Sequence, residues 1–347
     1  ITNELNSLSH YFIDIDHNLK LDNYNHSNLQ LSLRKVSNDT YLKVFDQHMT
    51  KSSLKPEDSN NLNSNLKLFL NHDEFNFESG IQSFEDLQIK NKSDRYQYNL
   101  PYYNFDKLIS QNYFEGNIIF NSNGNNYLSD TNKLETNITN NFIYNSLDYI
   151  SNFGLKNNFS LSLKNLNSIG KKTTQYKSNP QIELAGLLNI DFSMPFEKKD
   201  ADSENLLTPK MSLRFNPSDM KDYSSSENKI NISNAFALNR LGLSDTLEAG
   251  KSVTLGLDFK PEKKNDLDQI NNYFELKLAT VFRDKEENFI PNKSTINKKN
   301  SNLFGSISNK FSDNVNIGYN FSMDNDYSTF EFNDLNATIS INNFITK

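Results

Sequence analysis

Residues 239–250, NRLGLSDTLEAG, set Arg240, Asp245 and Glu248 in one short connection closed by Gly250. Two carboxylates and a guanidinium so close together could move a proton, because acid–base work needs groups within hydrogen-bond reach of one another. They could equally pair and pin the path of a connection. Other candidates are thin. The five histidines, His10, His17, His26, His48 and His72, all lie within the first 72 residues. Their spacing fits no His-Glu-x-x-His metal pattern, and lone histidines on polar strand faces are ordinarily solvated. Asp14 and Asp16 imitate a Ca²⁺ site, but two carboxylates on one strand face ordinarily line water. No G-x-S-x-G elbow, P-loop or G-x-G-x-x-G is present, and nothing local marks the Ser-His-acid arrangement of a barrel phospholipase. The expectation is a protein with no catalytic residue, no metal ligand and no cofactor.

Bulk composition narrows the classes further. Cysteine is absent, which removes disulfides, thiolate metal sites and cysteine nucleophiles from this chain. A net charge of -7 leaves no basic stripe for nucleic acid. Only 35% of residues are hydrophobic, yet 26 Phe and 16 Tyr are too many for a disordered chain.

The elements that carry these residues are strands. Period two, which puts alternate side chains on opposite faces, recurs in YFIDIDHNLKL, NLQLSLRK, EFNFESGI, KMSLRFN and NVNIGYNFSMD. It recurs directly after the charged connection, where Val253, Leu255, Leu257 and Phe259 oppose Ser252, Thr254, Gly256 and Asp258. Segments rich in Asn, Asp, Ser, Pro and Gly read as turns: NSNGNN, KPEDSNN, NPSDMKDYSSSEN and KPEKKNDLDQ. No stretch reaches a membrane-spanning helix, and no repeat of fixed length stands out. At about 25 residues per strand with its connection, residues 1–347 hold about fourteen strands in a single region. The fold class is all-β and antiparallel. A soluble sheet protein has one wet face; a large outer-membrane barrel has Phe, Leu, Ile and Val toward lipid and Asn, Ser, Lys and Asp toward its lumen. Period two alone fits both.

From Leu206 the chain reads LLTPKMSLRFNPSDMKDYSSSENKINISNAFALNRLGLSDTLEAGKSVTLGLDF. This resembles the central segment of the LptD family, lipopolysaccharide-assembly proteins of Gram-negative outer membranes. Pro209 and Pro217 match the family's two prolines, NAF at 234–236 matches the pair before its charged element, and Arg240, Asp245, Glu248 and Gly250 match that element. The Arg-to-Gly spacing departs from the pattern, because Leu241 and Gly242 follow Arg240 directly. RKVSNDTYLKVFD at 34–46 and RYQYNLPYYNFDKL at 95–108 are similar to two further family stretches, in the expected order.

The resemblance implies a transmembrane barrel that receives lipopolysaccharide from periplasmic bridge proteins and releases it to the outer leaflet through a lateral opening. It implies a plug lipoprotein as partner and outer-membrane lipid around the barrel. A diffusion porin or nutrient receptor, and a secreted all-β adhesin, are the competing readings. The chain opens at Ile1 without Met or a signal segment and stops after strand-like NATISINNFIT. The expectation is a barrel cut at both ends, holding middle strands without the periplasmic domain or the closing strands. The family's cysteines between those two regions are missing. Pro101, Pro209 and Pro217 are therefore expected at strand ends or edges rather than at a gate. Arg240, Asp245, Glu248 and Gly250 are expected to form an ion-pair network fixing the connection, with lumen contact as the alternative.

Overall fold

The computed structural model describes residues 9–49, 53–90, 92–110, 115–200, 203–264, 270–312, 314–341 and 344–346. Its strands are β1 His10–Asn18, β2 His26–Val36, β3 Asn61–Asn71, β4 Phe75–Asp86, β5 Tyr96–Ser110, β6 Gly116–Ser129, β7 Lys133–Ser146, β8 Tyr149–Ile150, β9 Lys156–Lys171, β10 Gln181–Ser193, β11 Phe196–Lys199, β12 Ser203–Asn216, β13 Gly250–Lys264, β14 Ile270–Arg283, β15 Leu303–Ser312, β16 Val315–Met323, β17 Phe330–Ile341 and β18 Phe344–Thr346. They belong to one antiparallel sheet. Among the described residues eighteen strands stand where a count by strand-plus-connection length gives about fourteen. Three of them, β8, β11 and β18, have two to four residues, too short to register as periodicity.

By internal contact the chain forms two compact units. One is Ile1–Gln111, Ile118–Phe142 and Asn165–Leu184; the other is Asn112–Asn117, Ile143–Lys164 and Ala185–Lys347.

In the first unit, β1 to β5 pair in sequence order. Ile13 and Ile15 sit opposite Leu33 and Leu31 on an exposed apolar face. The opposite face is polar and internally bonded. Arg34 reaches Asp14 at 2.7 Å, while Asn28 and Gln30 donate to Asp16 at 2.6 and 3.0 Å. Asp14 and Asp16 thus serve cross-strand pairing, and no His/Asp/Glu cluster suited to a metal occurs among the described residues. The connection 37–60 carries a short helix, α1 Tyr41–Val44, whose Leu42 packs with Val36, Met49, Leu62 and Leu87.

NSNGNN, expected as a turn, lies inside β6. Its asparagines are satisfied from neighbouring strands: Asn121 by Asp106, Asn125 by Asn137, Asn126 by the Leu100 carbonyl and Thr136. The Tyr103 ring covers Gly124. Tertiary partners override the turn propensity of Asn-Gly here. KPEKKNDLDQ divides as well, its first five residues completing β13 and the remainder lying outside the described residues.

In the second unit, β12, β13 and β14 pair over their length and β14 to β17 continue the meander. Along β13, Thr254 is 0% and Ser252 5% exposed, whereas Leu255, the next residue and on the opposite face, is 44% exposed. The polar face is therefore the covered one. Leu207, Phe215 and Phe282 share the exposed apolar side with Leu255. Soluble monomers rarely leave an apolar band uncovered on that scale.

Two of the three prolines depart from expectation. Pro101 is interior to β5, at a register irregularity where the pairing with β6 skips from Asn99 to Tyr102. Pro209 is interior to β12, opposite Leu257. Its other side meets the gap between β10 and β11, where Met194 donates its N–H to the Pro209 carbonyl at 3.1 Å, so a missing N–H disrupts no ladder bond there. Pro217 directly follows β12.

Candidate functional site

The connection 217–249 lies over the covered face of β12, β13 and β14 because that face offers it both charge and apolar surface. Arg214, Ser252 and Arg283 form one cross-strand row. Two guanidiniums flanking a serine repel one another unless an anion joins them. Glu248 is that anion. Its carboxylate accepts from Arg283 Nη1 at 2.6 Å and from Arg240 Nη2 and Nε at 2.5 and 2.7 Å, and it stands 3.8 Å from Arg214 Nη2. The Arg240 contact is bidentate, the strongest form of this pair.

Arg240, 1% exposed, spends its remaining donors on β13: Nη1 on Thr254 Oγ1 at 2.9 Å and Nη2 on Ser252 Oγ at 2.8 Å. Arg214 donates to the carbonyls of Ala237 and Leu238 at 3.0 and 2.7 Å, and Arg283 to that of Ala249. Asn216 donates to the Glu248 carbonyl at 2.9 Å. Burial on its own would raise the Glu248 carboxyl, but Arg240, Arg214 and Arg283 outweigh it and hold the group down at about 2. A carboxylate so held stays ionised at neutral pH and makes a poor general base. What the arrangement can do is clamp.

Gly250 completes the clamp sterically. It opens β13 at φ +85°, and a Cβ there would lie 2.7 Å from Arg283 Nη2. Asp245 belongs elsewhere. It accepts from Lys221 at 3.2 Å and from the Tyr223 hydroxyl, in a second group within the connection. Lys164 of β9, 6% exposed, reaches the neighbouring residues and donates to the carbonyls of Leu243 and Ser244 at 3.3 and 2.8 Å.

Apolar contacts finish the seat. Ile230, Leu241 and Leu243 of the connection pack with Ala279 and Val281 of β14, Phe304 of β15, and Ile290 and Ile296 of the connection 284–302. The two connections also bond to each other, Tyr223 N–H to the Phe289 carbonyl at 2.9 Å and Asn292 N–H to the Ser224 carbonyl at 3.1 Å. Each fully buried Leu or Ile contributes about 1.5–3 kcal/mol.

Of the residues singled out in the sequence, Arg240, Glu248 and Gly250 come together and Asp245 does not. Arg214, Arg283 and Lys164 were missed. Arg214 showed a signal, a charge on the polar side of KMSLRFN, but only the strand register reveals that it shares a row with Arg283.

A family model described as LptD: LPS transport system D matches residues 9–346. No curated protein matches the chain.

Proposed function

The chain belongs to the LptD family, LPS transport system D, and from that premise we propose that residues 1–347 act as one barrel region in the outer membrane of a Gram-negative bacterium, passing lipopolysaccharide to the outer leaflet through a lateral opening. Transport and assembly of lipopolysaccharide is the family's function, and porin or adhesin readings gain no support from the fold. The observation that carries the proposal is the inverted sheet: its apolar face is exposed while its polar face is bonded or covered. Such a sheet suits lipid on one side and a phosphorylated, sugar-bearing cargo on the other.

The partners are then lipopolysaccharide, a lipoprotein plug and periplasmic bridge proteins, with lipid around the barrel. In the first unit connections 37–60 and 87–95 are longer than 19–25 and 72–74, and in the second unit 217–249 and 284–302 are longer than 265–269 and 313–314. Outer-membrane barrels place short turns in the periplasm and long loops outside, so the clamp lies at the outward end. There Arg240, Glu248 and Gly250, with Asp245 in its own group with Lys221 and Tyr223, pin the 217–249 connection to the inner face. Depletion of the protein from its source cell should remove newly made lipopolysaccharide from the cell surface, read by antibody labelling of intact cells. Undiminished labelling rejects the transport reading.

A further inference from the structure

The clamp occupies the covered face of β12, β13 and β14, and their exposed face carries a feature of its own. Leu213, Val253 and Phe282 lie side by side across the three strands, and Phe215 stands opposite Lys251 in the next row toward the outward end. Val253 is the smallest side chain of its row, so the Phe215 and Phe282 rings, 42% and 39% exposed, stand as walls on either side of it. The result is an open groove of about 640 Å³ on the apolar side. Two charges stand at its head. Alternation along β13 puts Lys251 on the same side as Val253 and Leu255, and its ammonium lies 5.5 Å from the centre of the Phe215 ring, over one wall of the groove. Asp284, directly after β14, completes the lining. Among the described residues neither Lys251 nor Asp284 forms an ion pair, with the other or with a third group.

An ammonium and a carboxylate left unjoined above an apolar groove match an amphiphile that carries both charges in its head. A bare acyl chain would leave the two without partners, and an anionic lipid would set its charge against Asp284. We propose that this groove on the outer wall binds a zwitterionic glycerophospholipid with a primary amine, its phosphate on Lys251, its amine on Asp284 and one acyl chain along Val253. Both polar contacts are charge-assisted and so stronger than neutral hydrogen bonds. The Phe215 ring supports the first of them, because a cation held over an aromatic face gains attraction as water is excluded. The inference rests on the membrane reading, which sets this face against lipid, and needs nothing of lipopolysaccharide passage. It gives the outer wall a ligand chemically distinct from the cargo, whose several phosphates Asp284 would repel.

The test reconstitutes the whole chain in vesicles of equal parts phosphatidylethanolamine and phosphatidylglycerol, extracts it in mild detergent and counts the copurifying lipids by mass spectrometry. Phosphatidylethanolamine should be enriched about fivefold over phosphatidylglycerol, the scale of one exposed ion pair. Phosphatidylcholine in its place, whose quaternary amine has no N–H to donate, should be enriched about twofold or less on the unchanged protein. Lys251→Gln and Asp284→Asn should each remove most of the preference, and Lys251→Arg should keep it. Val253→Phe, which fills the groove and leaves both charges in place, should reduce retention of every lipid. Equal retention of the first two lipids, preference for phosphatidylglycerol, undiminished retention of phosphatidylcholine, an unchanged Asp284→Asn variant or full retention by Val253→Phe overturns the proposal. Displacement of the retained lipid by an equal amount of lipopolysaccharide also overturns it. The headgroup comparison needs no variant, so it decides the matter even where a substitution fails to fold. Failure of the unchanged chain to enter vesicles refutes the membrane reading itself, whereas entry without selective retention refutes the groove alone.

Discussion

At the scale of single residues, Glu248 is the position on which three guanidiniums depend. Glu248→Gln leaves Arg214, Arg240 and Arg283 buried without their anion, and loss of one partner from a buried ion cluster costs about 3–5 kcal/mol. The expected result is proteolytic cleavage within 217–249 in the variant under conditions that leave the unchanged protein intact. Acid provides a second route to the same state. The Glu248 carboxyl is held at about 2 in the folded protein, below its ordinary 4.5. A lowered carboxyl stabilises the fold above its ordinary value and loses that contribution as pH falls through the folded one. The connection should therefore stay seated at pH 5 and above and loosen progressively between about 4.5 and about 2, with protease sensitivity as the readout and Glu248→Gln showing no such transition. Gly250→Ala should cost about 1–2 kcal/mol from the left-handed backbone alone, and more from the Arg283 guanidinium in its way. Arg240, Glu248 and Gly250 were legible in the sequence because they stand close together in the chain. Arg214 and Arg283 were not, since their partnership exists only through β13, which lies between them in the sheet.

At the scale of elements, alternation reported the strands well and their insulation poorly. KMSLRFN and NVNIGYNFSMD lie in β12 and β16 with the expected faces, because period two is imposed by the backbone itself. NSNGNN misled because turn propensity is a local quantity, while the bonds that satisfy its asparagines come from distant strands. Pro209 misled for the opposite reason: an interior proline is tolerated where the neighbouring strand is interrupted, and the interruption at Met194 is invisible from β12 alone. The exposed apolar face makes a sharp prediction. Leu255→Arg on β13 should lower stability in a lipid bilayer by about 2–4 kcal/mol if the position sits near the midplane, measured by denaturant titration in liposomes. The same change on an ordinary water-facing surface would fall within about 0.5 kcal/mol of neutral.

At the scale of the whole molecule, the proposed orientation across the membrane is open to direct labelling. This chain contains no cysteine, so single thiols report position cleanly. Glu57→Cys and Glu286→Cys, in the connections 37–60 and 284–302, should react with a membrane-impermeant maleimide on intact cells. Asp73→Cys and Asn314→Cys, in the short turns, should react only after the outer membrane is opened. The reverse pattern would invert the orientation and move the clamp to the periplasmic end. The strand half of the clamp could not be read before folding, because Arg214 and Arg283 are brought side by side only by the sheet.

The row Arg214–Ser252–Arg283 also has a consequence in time. β13 and β14 are joined by 265–269 alone, whereas β12 must await closure of 217–249, a search entropically costlier by about 1.5–2 kcal/mol. The β13–β14 hairpin should form early, presenting Arg283 alone, and β12 then arrives carrying a like charge to the same row. That last pairing is repulsive until Glu248 is in place between the two. On this order of events β12 is expected to settle only after its own connection has folded and delivered the carboxylate. Glu248→Gln should slow the final phase of refolding more than it slows hairpin formation, resolved by time-dependent burial of a fluorophore on β12 against one on β14.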